Sequence, residues 1–269
     1  MSMATFSIDS PSEAAQLKLY EWLRNDCHAL EQGSVQALLD LSCTDNSLRQ
    51  ALTELVSQPP RYLYRDHYAG EGLERVDPWL LEIPMEPAPI AALCQLCAGH
   101  PMLGFIVTTS SGDALLQHLR RQWEARDPQG NLYLLRWADT RCLPALYGCL
   151  DAPQRARLLQ GIGSWIYFGR NGTPECIRPD AGAPPAKEQT TPFQLTAEQV
   201  QALHRATWPD ALLALMAGRP QLYGQMAGLP SQRHVAACEA LACLDSSTAT
   251  AEALRAMANG LKSHGLLQD

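Results

Sequence analysis

The chain has 269 residues, of which 46% are hydrophobic and 18% charged, with a formal net charge of −7. This is an ordinary globular composition, and the acidic balance argues against a general nucleic-acid binder, which would carry a basic face. No apolar run approaches the roughly 20 residues that cross a bilayer, and the first 13 residues lack the pattern of a secretory signal. We therefore expect neither a nucleic-acid nor a membrane partner.

The first 100 residues predict short strands between helices. A capping box with proline at the first helical position predicts a first helix that starts at Ser10. Short apolar runs predict further strands, and periodic runs near prolines predict helices. The predicted strands cover Val35–Leu41, Tyr62–Tyr64 and Trp79–Ile83, and the predicted helices cover Leu48–Val56 and Ile90–Ala98.

Residues 103–150 show the clearest pattern of strands and helices. Leu103–Thr109 is apolar and β-branched, which is typical of a central strand. A helix with one apolar face follows, and turn residues at 127–131 lead to a second predicted strand, Leu132–Ala138, apolar enough to be covered on both faces. The two strands are far enough apart for a right-handed crossover, although the pattern does not say whether they pair directly.

The C-terminal third is predicted to be helical. Asp151 caps one helix and Ser164–Phe168 is predicted to be the last substantial strand. Four prolines mark residues 178–192 as a linker. Beyond it a capping box at 196–199 and Pro209 each open a helix, and helices follow over 233–244 and 250–262. The predicted fold is a mixed α/β (α+β) lobe at 1–177, with a central sheet flanked by helices, and a small all-helical lobe at 193–269.

The nine cysteines are scattered, and most lie in apolar helical patterns. A reduced cysteine in such a position behaves as a small hydrophobe, so the pattern favours a reducing cytoplasm over a disulfide scaffold. Cys94 and Cys97, with His100 three residues later, have the spacing of half a metal site. No second pair accompanies them, so we interpret both cysteines as part of the core face of a helix.

Arg136 lies inside the predicted strand 132–138, on the same face as Leu132 and Leu134. Burial of an unpaired guanidinium would be very costly, so Arg136 must meet a carboxylate, a cluster of carbonyls, or solvent at a rim. The candidate carboxylates are Asp139, Asp40 and Asp77. Two roles are open: an internal clamp, which we favour, or a partner-binding notch at the edge of the sheet.

Three aspartates could in principle carry catalysis. Asp40, Asp66 and Asp139 each follow an apolar stretch, and carboxylates at strand ends can bind a divalent cation. The favoured alternative is that Asp139 caps the helix that runs through Leu143, while the other two make turn contacts or salt bridges. The nucleotide-binding, serine-hydrolase and zinc-protease motifs do not occur, so we predict no catalytic residue, metal or cofactor.

The helical lobe carries a short span with apolar residues on more than one side. Such a helix either packs within its own lobe, which is the default, or leaves a stripe for the helix of another protein. The candidate partner-binding residues in this span are Trp208, Leu212, Leu215 and Met216.

Successive blocks between Val35 and Phe168 resemble a bacterial protein family. The blocks are VQALLD at 35–40, LERVDPWLLE at 73–82, GFIVTT at 104–109, residues 115–121, RDPQG at 126–130 and LRWADTRCL at 135–143. Together they resemble the effector-chaperone (adaptor) family of type VI secretion systems, long catalogued as a domain of unknown function. The motif residues with an expected structural or binding role are Asp40, Asp77, Pro78, Trp79, Arg136, Asp139 and Arg141.

The resemblance implies a cytoplasmic, non-enzymatic chaperone that binds a toxic effector and helps load it onto the trimeric VgrG spike. The α/β lobe would be the shared scaffold, and the helical lobe would make contacts specific to the effector. Two alternatives remain: an immunity protein that neutralises a neighbouring toxin, and a metal-dependent hydrolase that uses Asp40, Asp66 and Asp139.

Overall fold

The computed structural model describes residues 7–31, 33–56, 58–65, 67–68, 70–180, 192–245 and 248–268. Two features of the sequence fall partly or wholly elsewhere. Asp66 lies outside the described residues, and so does most of the predicted linker, at 181–191. The predicted division into two lobes and a linker therefore stays a prediction.

A six-stranded sheet forms the centre of the described structure. Its strand order is β2-β3-β1-β4-β7-β8, and every neighbouring pair is antiparallel. The strands are β1 (Ser34–Leu39), β2 (Arg61–Tyr62), β3 (Trp79–Ile83), β4 (Leu103–Thr108), β7 (Ile162–Phe168) and β8 (Pro174–Ile177). The predicted α/β fold with a central sheet is confirmed, although β8 shows that β7 is not the last strand of that sheet.

Helices cover both faces of this sheet. Side chains alternate across a strand, so Phe105 of β4 lies in one core and Ile106 in the other. Both faces are buried, which explains why β1 and β4 are almost continuously apolar. The helices of this region are α1 (Glu13–Ala29), α2 (Asn46–Leu55), α3 (Pro87–Leu96), α4 (Gly112–Arg120), α5 (Leu143–Cys149) and α6 (Ala152–Leu158).

Local details of these helices both confirm and correct the sequence analysis. The N-cap of helix α1 lies two residues later than predicted, because the hydroxyl of Ser12, not that of Ser10, accepts the N–H of Ala15 at 3.2 Å. Asp151 caps α6 in a complete capping box, as predicted. Cys94 and Cys97 are buried in the core with α1 and α3, which confirms the core-face interpretation.

The predicted strand 132–138 is wrong. Strand β6 covers only Leu132–Leu134, and Leu132 and Leu134 are 50% and 47% exposed. It belongs to a separate three-stranded sheet of order β6-β5-β9, with β5 at Glu124–Arg126 and β9 at Phe193–Gln194, so it cannot complete a crossover with β4. The chain turns after Leu134 because the next apolar residues, Leu135 and Trp137, anchor a loop in the core.

The C-terminal region is helical, as predicted, with one small ladder. Its elements are α7 (Ala197–Ala217), α8 (Pro220–Tyr223), α9 (Pro230–Leu241) and α10 (Thr250–Ser263), and β10 (Gln225–Met226) pairs with β11 (Leu267–Gln268). The prediction that Pro209 opens a second helix is wrong, because α7 runs through it. Leu212, Leu213 and Met216 beyond the proline pack into the core of this region, which offsets the lost hydrogen bond. None of the described helices is long and apolar enough to cross a bilayer.

The N-terminal segment is bonded to the start of α9. The carboxylate of Asp9 accepts the backbone N–H of Ser231 at 3.0 Å and its hydroxyl at 2.5 Å. The N-cap of helix α9, Leu229, makes no capping hydrogen bond with its side chain. Asp9, 222 positions from Ser231 in the chain, instead supplies the acceptor that a capping residue normally provides.

We expect Asp9→Ala to lower the free energy of unfolding by about 1–2 kcal/mol, because two donors at the start of α9 lose their acceptor. Denaturant titration of the full chain measures the change. Asp113→Ala is the matched control: that carboxylate makes an exposed ion pair with Arg61, so its removal is expected to cost less than about 1 kcal/mol. Equal losses in the two variants would contradict the capping role.

Candidate functional site: an ion-pair cluster beside an apolar groove

Four charged residues meet where β1 ends. We call Asp40, Arg136, Asp139 and Arg141 the ion-pair cluster. Nη2 of Arg136 donates to Oδ2 of Asp40 at 2.8 Å and lies 3.2 Å from Oδ2 of Asp139. The same nitrogen donates to the hydroxyl of Ser42 at 2.6 Å. Asp40 is held in place because its carboxylate also accepts the backbone N–H of Ser42, in the short 3₁₀ turn that follows β1.

Asp139 is the centre of the cluster. Its carboxylate accepts Nε and Nη2 of Arg141, at 3.1 and 2.7 Å, and also the backbone N–H of Arg141 at 3.0 Å. Both side chains are buried. Burial favours the neutral acid, but the bonds from Arg141 and the charges of Arg141 and Arg136 keep the pKa of Asp139 below its usual value. The carboxylate is therefore ionised and fully engaged.

The cluster has no net charge, because two carboxylates face two guanidinium groups. Burial favours the neutral form of Arg136, yet the adjacent Asp40 and Asp139 raise its pKa overall. Such an arrangement fixes one geometry, since breaking it would leave a buried charge without a partner. Of the three candidate carboxylates, Asp40 and Asp139 pair with Arg136, whose side chain is also 39% exposed.

The other motif residues have structural contacts. Asp77 does not pair with Arg136: its carboxylate accepts the backbone N–H groups of Tyr64 and Arg65, at 2.7 and 3.0 Å. The carbonyl of Pro78 accepts the N–H of Leu63, and Trp79 is buried at the start of β3. Burial raises the pKa of Asp77, although the backbone bonds oppose the change. This block therefore holds the segment after β2 against β3.

The geometry disfavours the metal-dependent hydrolase. Asp40 and Asp139 are brought together, but around Arg136, whose positive charge would repel a divalent cation between them. Within the described ranges no group of three or more His, Cys, Asp or Glu side chains could hold a metal ion. The prediction that the side chain of Asp139 caps helix α5 is wrong. The backbone carbonyl of Asp139, not its carboxylate, accepts the N–H of Leu143.

A second ion-pair group, absent from the sequence predictions, joins the central region to the C-terminal helices. Arg170, just after β7, donates Nη1 and Nη2 to the two carboxylate oxygens of Asp210 on α7, at 3.0 and 2.5 Å. Nδ1 of His234 lies 3.4 Å from Asp210, an ion-pair contact longer than a good hydrogen bond. With Arg141 these residues line a cavity of about 30 Å³. No local pattern pairs residues 40 positions apart, so only a three-dimensional structure reveals this group.

An apolar groove of about 200 Å³ adjoins Arg136. It lies between β6, α5 and the first half of α7, and its walls include Leu134, Leu135, Leu146, Val200 and Leu203. Sequence reasoning missed this groove because it searched the second half of α7. The spacing of Val200, Leu203 and Thr207 on one helical face was the available signal.

The predicted partner-binding residues lie elsewhere on α7. Leu212 and Met216 are buried in the core of the C-terminal helices, and Trp208 packs against that core. Leu215 is exposed. Of the four predicted residues, only Leu215 and part of Trp208 are therefore accessible to a partner.

Residues 36–157 match a family model, DUF4123, described as a domain of unknown function. The matched range contains the whole ion-pair cluster and ends within α6, so the C-terminal helices lie outside it. No curated protein and no solved structure matches the chain.

We expect Asp139→Asn to lower the free energy of unfolding by about 3–5 kcal/mol, because it removes the charge of the carboxylate that accepts both Nε and Nη2 of the buried Arg141. Denaturant titration of the full chain tests this. The control, Asp113→Asn, removes an exposed ion pair and is expected to cost less than about 1 kcal/mol. A loss from Asp139→Asn as small as that of the control would show that the cluster does not determine stability.

The contact of His234 with Asp210 predicts a pH dependence. Burial lowers the pKa of His234, but its contacts with Asp210 and Cys238 raise it overall. A raised folded-state pKa gives stability that is fully present below the unfolded value, near 6.5, and lost as the pH rises through the folded value. The pKa of Asp210 is held well below its usual range, so that carboxylate stays ionised throughout.

The free energy of unfolding of wild type, minus that of His234→Gln, is therefore expected to increase as the pH falls from about 8 to about 5.5. Denaturant titrations of both proteins across this range measure the difference. His264→Gln, which changes an exposed histidine, is the control and should show a smaller gain. A difference between wild type and His234→Gln that does not vary with pH would contradict the raised pKa.

Proposed function

We propose that the protein is a non-enzymatic adaptor of a type VI secretion system. In this proposal it binds a toxic effector in the cytoplasm of the producing cell and helps load it onto the VgrG spike. The observation that carries the proposal is the DUF4123 match over residues 36–157, the range that holds the sequence blocks resembling effector chaperones. The ion-pair cluster and most of the central sheet lie in this range.

The chemistry of the cluster supports binding over catalysis. A general base or nucleophile must exchange protons or bonds with a substrate, whereas the carboxylates of Asp40 and Asp139 are already bonded to guanidinium groups. Burial also raises the pKa of the Cys94 thiol to about 12, so this cysteine is not an activated nucleophile. The ion-pair cluster is better suited to hold the loop after β6 in one position.

The groove supports a role in reversible protein binding. Its lining combines apolar side chains with the polar side chains of Arg136, His204 and Thr207. An adaptor must hold its effector firmly and later release it, and an apolar centre with a polar rim suits such an exchangeable interface. Leu215 and the accessible part of Trp208 are a second candidate contact on α7.

The proposal predicts a complex with two partners. We expect the gene to lie between a spike gene and a toxin gene, and co-expression of the three products to yield a stoichiometric complex with the toxin that also retains the spike. Affinity capture followed by light scattering measures the composition. A catalytically inactive toxin variant keeps the host cells alive without altering the binding surface.

The same experiment separates the alternatives. Capture of the toxin without the spike, together with protection of cells that express the active toxin, would identify an immunity protein instead. If neither neighbour is retained, the adaptor proposal is rejected. Metal analysis of the purified protein then tests the hydrolase alternative.

A further inference from the structure

Strand β6 forms an exposed edge of the three-stranded sheet. Because β5 lies between β6 and β9, the outer edge of β6 pairs with no other strand in the described part of the chain. Proteins usually protect such edges with charged residues or proline, since an open edge is a template for another strand. This edge instead carries Leu132 and Leu134, which are about half exposed.

The hydrogen-bond pattern shows which backbone groups the edge offers. Ala125 of β5 lies opposite Tyr133. The pairs two residues away in each direction are hydrogen-bonded, through Leu135 N to Trp123 O and through Asp127 N to Asn131 O. Bonded and non-bonded pairs alternate in an antiparallel ladder, so Tyr133 is bonded to β5. The N–H and C=O groups of Leu132 and Leu134 therefore point outward, where a further strand would pair.

The groove lies against the same strand and is lined by a cation with spare donors. Leu134 and Arg136 both line the groove, and 39% of the Arg136 side chain is exposed. The side-chain hydrogen bonds and ion pairs of Arg136 with described residues all run through Nη2. A guanidinium carries five N–H donors, so those on Nε and Nη1 are left for an acceptor outside the described chain. The expected acceptor is a carboxylate, whose two oxygens match the geometry of these donors and form the stronger, charge-assisted hydrogen bonds.

We propose that β6 and the groove bind an extended segment of a partner protein, which adds as a strand to this edge. The segment would bond to Leu132 and Leu134, place an apolar side chain in the groove and place an acidic side chain at Arg136. A helix would leave the outward backbone groups unpaired, which favours an extended partner. The inference deepens the proposed function: it rests on that function for the identity of the partner, the toxic effector.

The decisive variant is Leu134→Pro. It removes the outward N–H without removing a bond to β5, and Leu134→Ala removes only the side chain. We expect Leu134→Pro to weaken toxin binding by about tenfold more than Leu134→Ala does. Leu222→Ala, at a leucine that is 68% exposed on α8, is the matched control and should bind like wild type. Titration of the purified toxin by calorimetry measures each affinity.

Amide hydrogen exchange of the wild-type chain tests the edge without any substitution. Bound toxin should slow exchange at Leu132 and Leu134, whereas Tyr133, already bonded to β5, should change little. This alternating pattern would not arise if the toxin only covered the surface with a helix. It also keeps the inference testable if Leu134→Pro fails to fold.

The acidic contact is tested with short overlapping peptides that tile the toxin. Replacement of the acidic residue of the binding peptide by its amide should weaken binding to wild type, and should have a smaller effect on Arg136→Gln. Equal effects on the two proteins would overturn the assignment of Arg136.

The remaining outcomes separate the two proposals. If wild type and Leu134→Pro bind the toxin equally, and exchange at Leu132 and Leu134 is unchanged, the edge assignment is overturned and the adaptor function stands. Dimerisation of the free chain that Leu134→Pro abolishes would also overturn it, because a second copy would then be the occupant. If wild type retains no toxin, the proposed function fails, and the edge assignment fails with it.

Discussion

The constraint on which the site depends is the sharing of one buried carboxylate by two guanidinium groups. Asp139 accepts Arg141 through both oxygens and faces Arg136 as well. Neither arginine can move away without stranding a desolvated charge. Through Asp40 the same network reaches the end of β1, so the loop after β6 is tied to the central sheet. Arg141 also borders the cavity at Asp210, which brings the network to the C-terminal helices.

This network explains how an irregular loop can keep a defined position. Such a loop would ordinarily sample many positions, but Leu135 and Trp137 are anchored in the core and Arg136 is held at its Nη2. Pre-organisation of this kind lowers the entropy that a partner must overcome on binding. Because the cluster is neutral overall, it orients the spare donors of Arg136 without creating a strong field around the groove.

The sequence predicts the parts of the molecule in which local pattern and burial agree. Trp79–Ile83 was predicted with its observed ends, because a strand buried on both faces has a distinct apolar run. The cost of an unpaired buried charge gave three candidate carboxylates for Arg136, and two of them, Asp40 and Asp139, pair with it, even though the strand predicted around Arg136 was wrong. The strand predicted over 132–138 was wrong because Leu135 and Trp137 anchor a loop, and residues that anchor a loop are as apolar as those of a strand. Arg170 and Asp210 belong to different elements, and no local rule joins them.

The position of the groove suggests how affinity and specificity would be divided if the edge binds a partner. Backbone pairing along β6 tolerates almost any sequence, so it would supply affinity without selecting among extended segments. Selection would then depend on the side chains that a segment meets in the groove. One wall, with Leu134 and Leu146, lies inside the range that matches DUF4123, whereas Val200 and Leu203 on α7 lie outside it. Changes in α7 could therefore alter the preferred partner while the ion-pair cluster and the edge stay intact.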